Sequence, residues 1–209
     1  GFQVFRKNEE GMNNDSETDS GKEERKTMKK EYKTIRVTLE DSVAVLTIDS
    51  PPVNQMSAQM GQDFGEAITE AFGDDAVKAI ILTGTGKNFI AGADITQLQL
   101  VKSRYEVFQV ALKAALFLNS IEVGPKPVIA AINGNCLGGG LETAMVCHYR
   151  VAAPGVNLGQ PEVQIGLIPG AGGTQRLPRL VGLPNALEMI TTGKPIKAEK
   201  AFMRGLVDQ

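Results

Sequence analysis

The sequence predicts an α/β fold, and three observations carry that expectation. Short β-branched runs alternate with stretches of helical apolar spacing. Glycine-rich loops stand between a strand and the helix that follows it. Prolines and glycines punctuate the chain at each change of period.

The elements follow in order. Ile35, Val37 and Leu39 alternate with polar residues, Glu40-Asp41-Ser42 turns the chain, and Val43–Ile48 completes a hairpin. Ser57 is placed to cap a helix carrying Met60, Phe64, Ala67, Ile68, Ala71 and Phe72, which Gly73-Asp74-Asp75 ends. A strand over 79–83 leads into a glycine-rich loop through Gly92. A helix with Phe108, Ala111, Leu112 and Ala115 comes next, then a strand over Val128–Ile132 behind Pro125 and Pro127. Gly138-Gly139-Gly140 opens another helix, a strand lies near Tyr149–Ala152, and a loop runs through Pro161. Helices are expected near 174–180, 185–192 and 198–204. Strand-to-helix units in series require a largely parallel sheet. The apolar stripes in 57–72 and 105–118 are expected to face the core. No repeat of fixed period is present.

Composition bounds the function. The chain has 209 residues, 22 basic and 24 acidic side chains, a net charge of −2, one His and two Cys. It lacks the basic excess of a nucleic-acid binder, and its longest clean apolar run, Val128–Ile132, is far too short to span a bilayer. Cys136, Cys147 and His148 cannot by themselves build a disulfide framework or a zinc site, so reduced thiols in the cytoplasm are expected. His148 is expected in the core or at a strand end. Seven basic and seven acidic groups crowd residues 1–30, and the density of charge falls sharply afterwards. Residues 1–30 are therefore expected to form a disordered tail and 31–209 one folded domain, with the residues before Met28 an extension.

Phosphate-loop chemistry is a poor match. Gly86-Lys87 follows a strand, but Ile81 stands where a P-loop needs glycine and Asn88 where it needs Ser or Thr. Gly134-Asn-Cys-Leu-Gly-Gly-Gly140 lacks the G-x-G start of a dinucleotide fingerprint. No G-x-S-x-G is present, and neither Cys has an activating context. Lys87, Arg104, Arg176 and Arg179 could meet phosphate groups, although surface solvation suits most of them better.

Two loops and two acids remain. Gly138-Gly139-Gly140 exposes backbone N–H groups at a helix N-terminus, and Ile90-Ala-Gly-Ala-Asp94 offers a second donor, which together could form an oxyanion hole. Close helix–strand packing would explain the same glycines. Glu142 lies in a mostly apolar helical turn and Glu162 sits beside an apolar run. Such carboxylates suit paired acid and base work, or else a structural ion pair.

Asn133-Gly-Asn-Cys-Leu-Gly-Gly-Gly-Leu-Glu142, Gly159-Gln-Pro-Glu-Val-Gln-Ile-Gly-Leu-Ile-Pro-Gly-Ala-Gly-Gly-Thr-Gln175 and Phe89-Ile-Ala-Gly-Ala-Asp-Ile95 resemble the enoyl-CoA hydratase/isomerase (crotonase) superfamily over about residues 33–209. Ser50-Pro-Pro-Val-Asn54, the run from Glu142 to Arg150 and Leu177-Pro-Arg179 resemble the hydratase half of bifunctional fatty-acid oxidation enzymes. The resemblance implies a spiral of ββα units that hydrates 2-trans-enoyl-CoA to 3-hydroxyacyl-CoA. It implies an oxyanion hole from the N–H groups of Ala93 and Gly139, with Glu142 activating water and Glu162 protonating the α carbon. Ala91, Asp94, Ile95, Gly138, Pro169 and Gly170 are implied as substrate contacts. No metal or other cofactor is implied beyond coenzyme A on the substrate, and a homotrimer or dimer of trimers is the implied assembly. A Δ3-Δ2-enoyl-CoA isomerase and an inactive acyl-CoA-binding module are the competing expectations. Thr96 departs from the lysine usual after Ala-Asp-Ile in the family. The chain also stops at Gln209, where the family continues, so C-terminal helices over the acyl pocket are expected to be missing.

Overall fold

The computed structural model describes residues 32–94, 96 and 102–209. The tail expected over 1–30 and the contact expected of Ile95 lie outside the described residues. Strands β1 (Ile35–Glu40) and β2 (Val43–Ile48) pair antiparallel, from Ile35 opposite Ile48 to Glu40 opposite Val43. The two intervening residues, Asp41 and Ser42, both have positive φ, the backbone that lets a two-residue turn follow the right-handed twist of its strands. Ile35 and Val37 point inward with Ala44, Leu46 and Ile48, as the alternation requires.

Helix α1 (Ala58–Gly73) begins where the Ser57 side chain accepts the Met60 N–H, and it buries Met60, Phe64, Ala67, Ile68 and Ala71. Its open C-terminal end is closed from outside, because Lys126 Nζ donates to the carbonyls of Ala71 and Asp74 at 2.7 and 2.5 Å. The carboxylate of Asp63 pins this helix to the first strand by accepting the N–H and hydroxyl of Thr34 at 2.8 and 2.7 Å.

Three units then repeat one plan. They are β3 (Ala79–Gly84), β4 (Asn88–Ile90) and α2 (Arg104–Glu122); β5 (Val128–Ile132), β6 (Asn135–Leu137) and α3 (Gly139–Val146); and β7 (Tyr149–Ala152), β8 (Asn157–Gly159) and a 3-10 helix over Pro161–Ile165. The first strand of each unit joins a five-stranded sheet of order β1-β2-β3-β5-β7, parallel from β2 onward. The second strand joins a smaller sheet, β4-β6-β8-β9, in which β4, β6 and β8 run parallel. Helices α4 (Gly173–Val181), α5 (Leu183–Thr192) and α6 (Ala198–Met203) follow, with β9 (Ile196–Lys197) antiparallel to β8. This is the expected α/β spiral of ββα units.

The second sheet is the main addition to the sequence expectation. Its strands are two or three residues long, too short to carry a period. An asparagine begins each of its parallel strands. Asn135 Nδ2 donates to Asn88 Oδ1 at 3.0 Å, and Asn157 Nδ2 donates to Asn135 Oδ1 at 2.9 Å. This ladder ties the three strands together by side chains where the backbone pairing is short.

One expectation needs correction. The stripe over 105–118 is not core: Tyr105, Phe108 and Leu116 are 70%, 57% and 58% exposed, and α2 buries only Leu118 and Ile121. The helix is apolar on more than one side, so spacing alone could not tell which side turns inward. Its anchor is Phe117, which meets Phe64 of α1 edge to face at 5.3 Å between ring centroids. His148 is a strand-end residue, exposed, with Nδ1 accepting the Val128 N–H at 3.1 Å. Both thiols are free and buried. Burial pushes Cys147 up to about 12, with the Arg150 charge working against it, and it also holds Cys136 well above the usual thiol range. Neither is an activated nucleophile.

Candidate active site

The loop leaving β4 and the loop opening α3 meet because glycine allows it. A Cβ on Gly140 would stand 2.2 Å from the Ile90 carbonyl oxygen, so the first turn of α3 can lie on β4 only without a side chain there. Gly138 has φ +53 and ψ −125, and the point its Cβ would occupy is 3.7 Å from the Cα of Gly92. Gly139 opens onto free space. Close packing therefore accounts for Gly140, whereas it does not account for Gly139.

This junction leaves two backbone donors unused. Met56 donates its N–H to the Gly92 carbonyl, and Asp94 donates its own to the Met56 carbonyl, so the neighbours of Ala93 are bonded. The Ala93 N–H itself has no acceptor among the described residues. Gly139 begins α3, and its N–H is likewise without one, whereas Gly138 donates to the Gly159 carbonyl at 2.9 Å. Free N–H groups from adjoining loops are what a developing oxyanion requires.

Glu142 lies on α3, one turn beyond Gly138, and is 3% exposed. Its Oε1 accepts the N–H groups of Ala171 and Gly173, both at 2.7 Å, where the chain enters α4. Oε2 has no hydrogen-bond partner among the described residues. Burial raises the carboxyl above its ordinary range, while the two N–H groups and the Arg176 charge oppose that rise. Glu162 sits in the first turn of the 3-10 helix with Oε1 against Gly138. Burial pushes it up to about 7; its own N–H works against the rise and the charge of Glu142 adds to it. Gln160 is fully buried beside it, and with its amide nitrogen turned toward the acid it donates to both carboxylate oxygens at 2.7 and 3.0 Å.

The remaining expected residues divide. Pro169 is buried against Gly173, and Gly170 lies beside Ala111 of α2, so both flank the loop that holds Glu142. Ala91 donates its N–H to the Asn54 carbonyl at 3.4 Å, at the entry to the Gly92–Ala93 loop. The carboxylate of Asp94 accepts the N–H and hydroxyl of Thr96 at 3.0 and 2.6 Å, which engages it locally. Sequence reasoning missed Gln160 and weighed Arg176 only for phosphate groups or surface solvation. A buried amide beside an acid leaves no spacing signature, and Arg176 looked like a surface base. It is instead mostly covered, spanning Glu122, Asn119 and the Ala171 carbonyl. Among the described residues, no group of three His, Cys, Asp or Glu side chains could hold a metal ion, and no helix is long and apolar enough to cross a membrane.

Comparison with known proteins identifies the family. The sequence profile of the family described as enoyl-CoA hydratase/isomerase matches residues 38–209. The chain is 44% identical over 173 residues to a probable enoyl-CoA hydratase of Bacillus subtilis, covering 83% of this chain and 67% of that protein. It is 43% identical over 174 residues to the fatty acid oxidation complex subunit alpha of Shewanella halifaxensis, covering 81% of this chain and 25% of that protein. Among solved structures, an enoyl-CoA hydratase from Bacillus anthracis superposes with a TM-score of 0.78 at 36% identity, over 84% of this chain and 69% of that one. The chain thus spans about a quarter of the longer relative and two thirds of the shorter one.

Proposed function

Since the chain belongs to the enoyl-CoA hydratase/isomerase family, we propose that it catalyses the reversible addition of water to 2-trans-enoyl-CoA, giving 3-hydroxyacyl-CoA. One observation carries the proposal. Two carboxylates of different environment, Glu142 held by paired N–H groups and Glu162 raised to about 7, adjoin the loops that bear the free N–H groups of Ala93 and Gly139.

In the proposed reaction the thioester oxygen accepts both N–H groups, which stabilise the enolate-like charge more than they stabilise the neutral substrate. Glu142 Oε2 takes a proton from water as its oxygen bonds to C3, and Glu162 delivers its proton to C2. The pair begins and ends with one proton, so nothing else is consumed. No cofactor is proposed beyond the coenzyme A carried by the substrate. Ala91, Pro169 and Gly170 are proposed to line the acyl thioester, as are Asp94 and Ile95.

A homotrimer or dimer of trimers is the proposed assembly, and the outward apolar residues of α2 support association. The cytoplasm is the proposed compartment, supported by two buried thiols that are free.

The test is loss of enoyl-thioester absorbance with crotonyl-CoA and longer enoyl-CoAs, beside Glu142→Gln and Glu162→Gln. Each change is expected to lower turnover by about 10²- to 10⁴-fold. A folded wild-type chain that binds acyl-CoA without turnover overturns the proposal. Conversion of 3-enoyl- to 2-enoyl-CoA in place of hydration would assign an isomerase.

A further inference from the structure

Outside the two acids, the most heavily bonded charged group near the site is Arg176 of α4. Its Nη1 donates to the Ala171 carbonyl at 3.2 Å, and its Nε and Nη2 donate to Glu122 Oε2 of α2 at 3.0 and 2.7 Å. Nη2 also donates to Asn119 Oδ1. The guanidinium lies across Gly172, where φ is +107 and a Cβ would collide with Nη1. The residue it grips by the carbonyl, Ala171, is one of the two whose N–H groups hold Glu142.

Resting on the hydratase reading, we propose that Arg176 is a positioning residue for the base: anchored on α2 through Glu122, it fixes Ala171 so that Glu142 Oε1 stays bound and Oε2 stays free toward water. A planar fork suits this task, because one group must reach the Ala171 carbonyl and the Glu122 carboxylate together. Arg176 also stabilises the ionised form of Glu142, which a base must hold before it takes a proton. Among the described residues, the other titratable groups around Glu142 are few: Glu162 faces it from the 3-10 helix, and Glu122 is bonded to Arg176. β4 contributes none, and Cys136 on β6 has Cys147 as its electrostatic neighbour.

The experiment compares wild type with Arg176→Gln and Arg176→Lys. It measures kcat, KM and their pH profiles with crotonyl-CoA, and in parallel the titration of Glu142 by carboxyl carbon NMR, assigned with Glu142→Gln. In Arg176→Gln we expect kcat lower by roughly 10- to 100-fold with KM unchanged. The acid limb of the profile and the Glu142 midpoint should both move to higher pH. Arg176→Lys keeps the charge and loses the fork, so its midpoint should move less while kcat still falls. A folded Arg176→Gln protein with wild-type kcat and the wild-type Glu142 midpoint overturns the proposal. Should that variant not fold, Arg176→Lys decides, and wild-type kcat with an unshifted midpoint overturns the proposal. The NMR readout needs no turnover, so failure of the hydratase reading, seen as a wild-type chain without activity, is distinguishable from failure of the coupling between Arg176 and Glu142.

Discussion

Glu162 Oε1 lies 3.2 Å from the point that a Cβ on Gly138 would occupy. The glycine is thus the floor on which the acid rests, and its φ of +53 with ψ of −125 is a backbone state that side chains rarely adopt. Gly138→Ala should cost roughly 1–3 kcal/mol of stability through strain. It should lower turnover beyond that, because the carboxylate must shift away from its place against Gly138. Denaturant unfolding and turnover at a temperature where both proteins are folded separate the two effects. Turnover equal to wild type would show that Glu162 does not depend on this contact.

The pH dependence follows from Glu162. Its carboxyl is raised by burial to about 7 against an ordinary 4.5, so between those values the folded chain holds a proton that the unfolded chain has released. Stability contributed by that proton is fully present below about 4.5 and is lost as pH rises through about 7. Glu162→Gln should therefore gain in melting temperature relative to wild type across this window. Both directions of the proposed reaction use a carboxylate pair holding one proton, so hydration and dehydration should both decline on the alkaline side of about 7. An alkaline limb that persists in a Glu162→Gln protein with residual activity would assign it to another group.

Much of this was legible in the chain. β1, β2, β3 and β5 carry enough β-branched residues to announce themselves, and Ser57 marks the start of α1. Glu142 and the triple glycine stood out because a carboxylate in an apolar turn and three consecutive glycines are both costly. What stayed hidden depends on long-range contact. The strands of the second sheet are recognisable only through the partners that Asn88, Asn135 and Asn157 find across it. The outward turn of Phe108 and Leu116 depends on where Phe117 and Leu118 dock. Gln160 and Arg176 acquire their places from residues up to 57 positions away.

The asparagine ladder makes a separate prediction. Asn135 is its middle rung, donating to Asn88 and accepting from Asn157. Asn135→Ala removes both bonds and should destabilise the chain by about 1–3 kcal/mol. Asn88→Ala removes only one, so a double-mutant cycle between Asn88 and Asn135 should return a non-zero coupling energy. Additive effects would mean that the rungs act independently and that the short backbone pairing alone holds the smaller sheet.

Arg150 locks the last residues onto β7. Its Nε donates to the Leu206 carbonyl at 3.1 Å and its Nη1 to the Cys147 carbonyl at 2.7 Å, while Nη2 pairs with Asp208 Oδ2 at 2.9 Å. The Arg150 N–H donates to the same carboxylate at 2.8 Å, and the Asp208 N–H returns to the Arg150 carbonyl. Arg150→Met fills a similar space but strips two carbonyls of their side-chain donors and the Asp208 carboxylate of its charged partner, so it should cost roughly 2–4 kcal/mol. Asp208→Asn should cost less, because Asp208 is partly solvated and an amide oxygen can still accept the Arg150 N–H. Glu142 and Glu162 touch none of these groups, so turnover per folded molecule should stay near wild type in both variants. Chemical denaturation measures the first claim and turnover scaled to the folded fraction the second. A large loss of activity in fully folded Arg150→Met would reveal a connection between this lock and the proposed active-site loops that the hydrogen bonds do not trace.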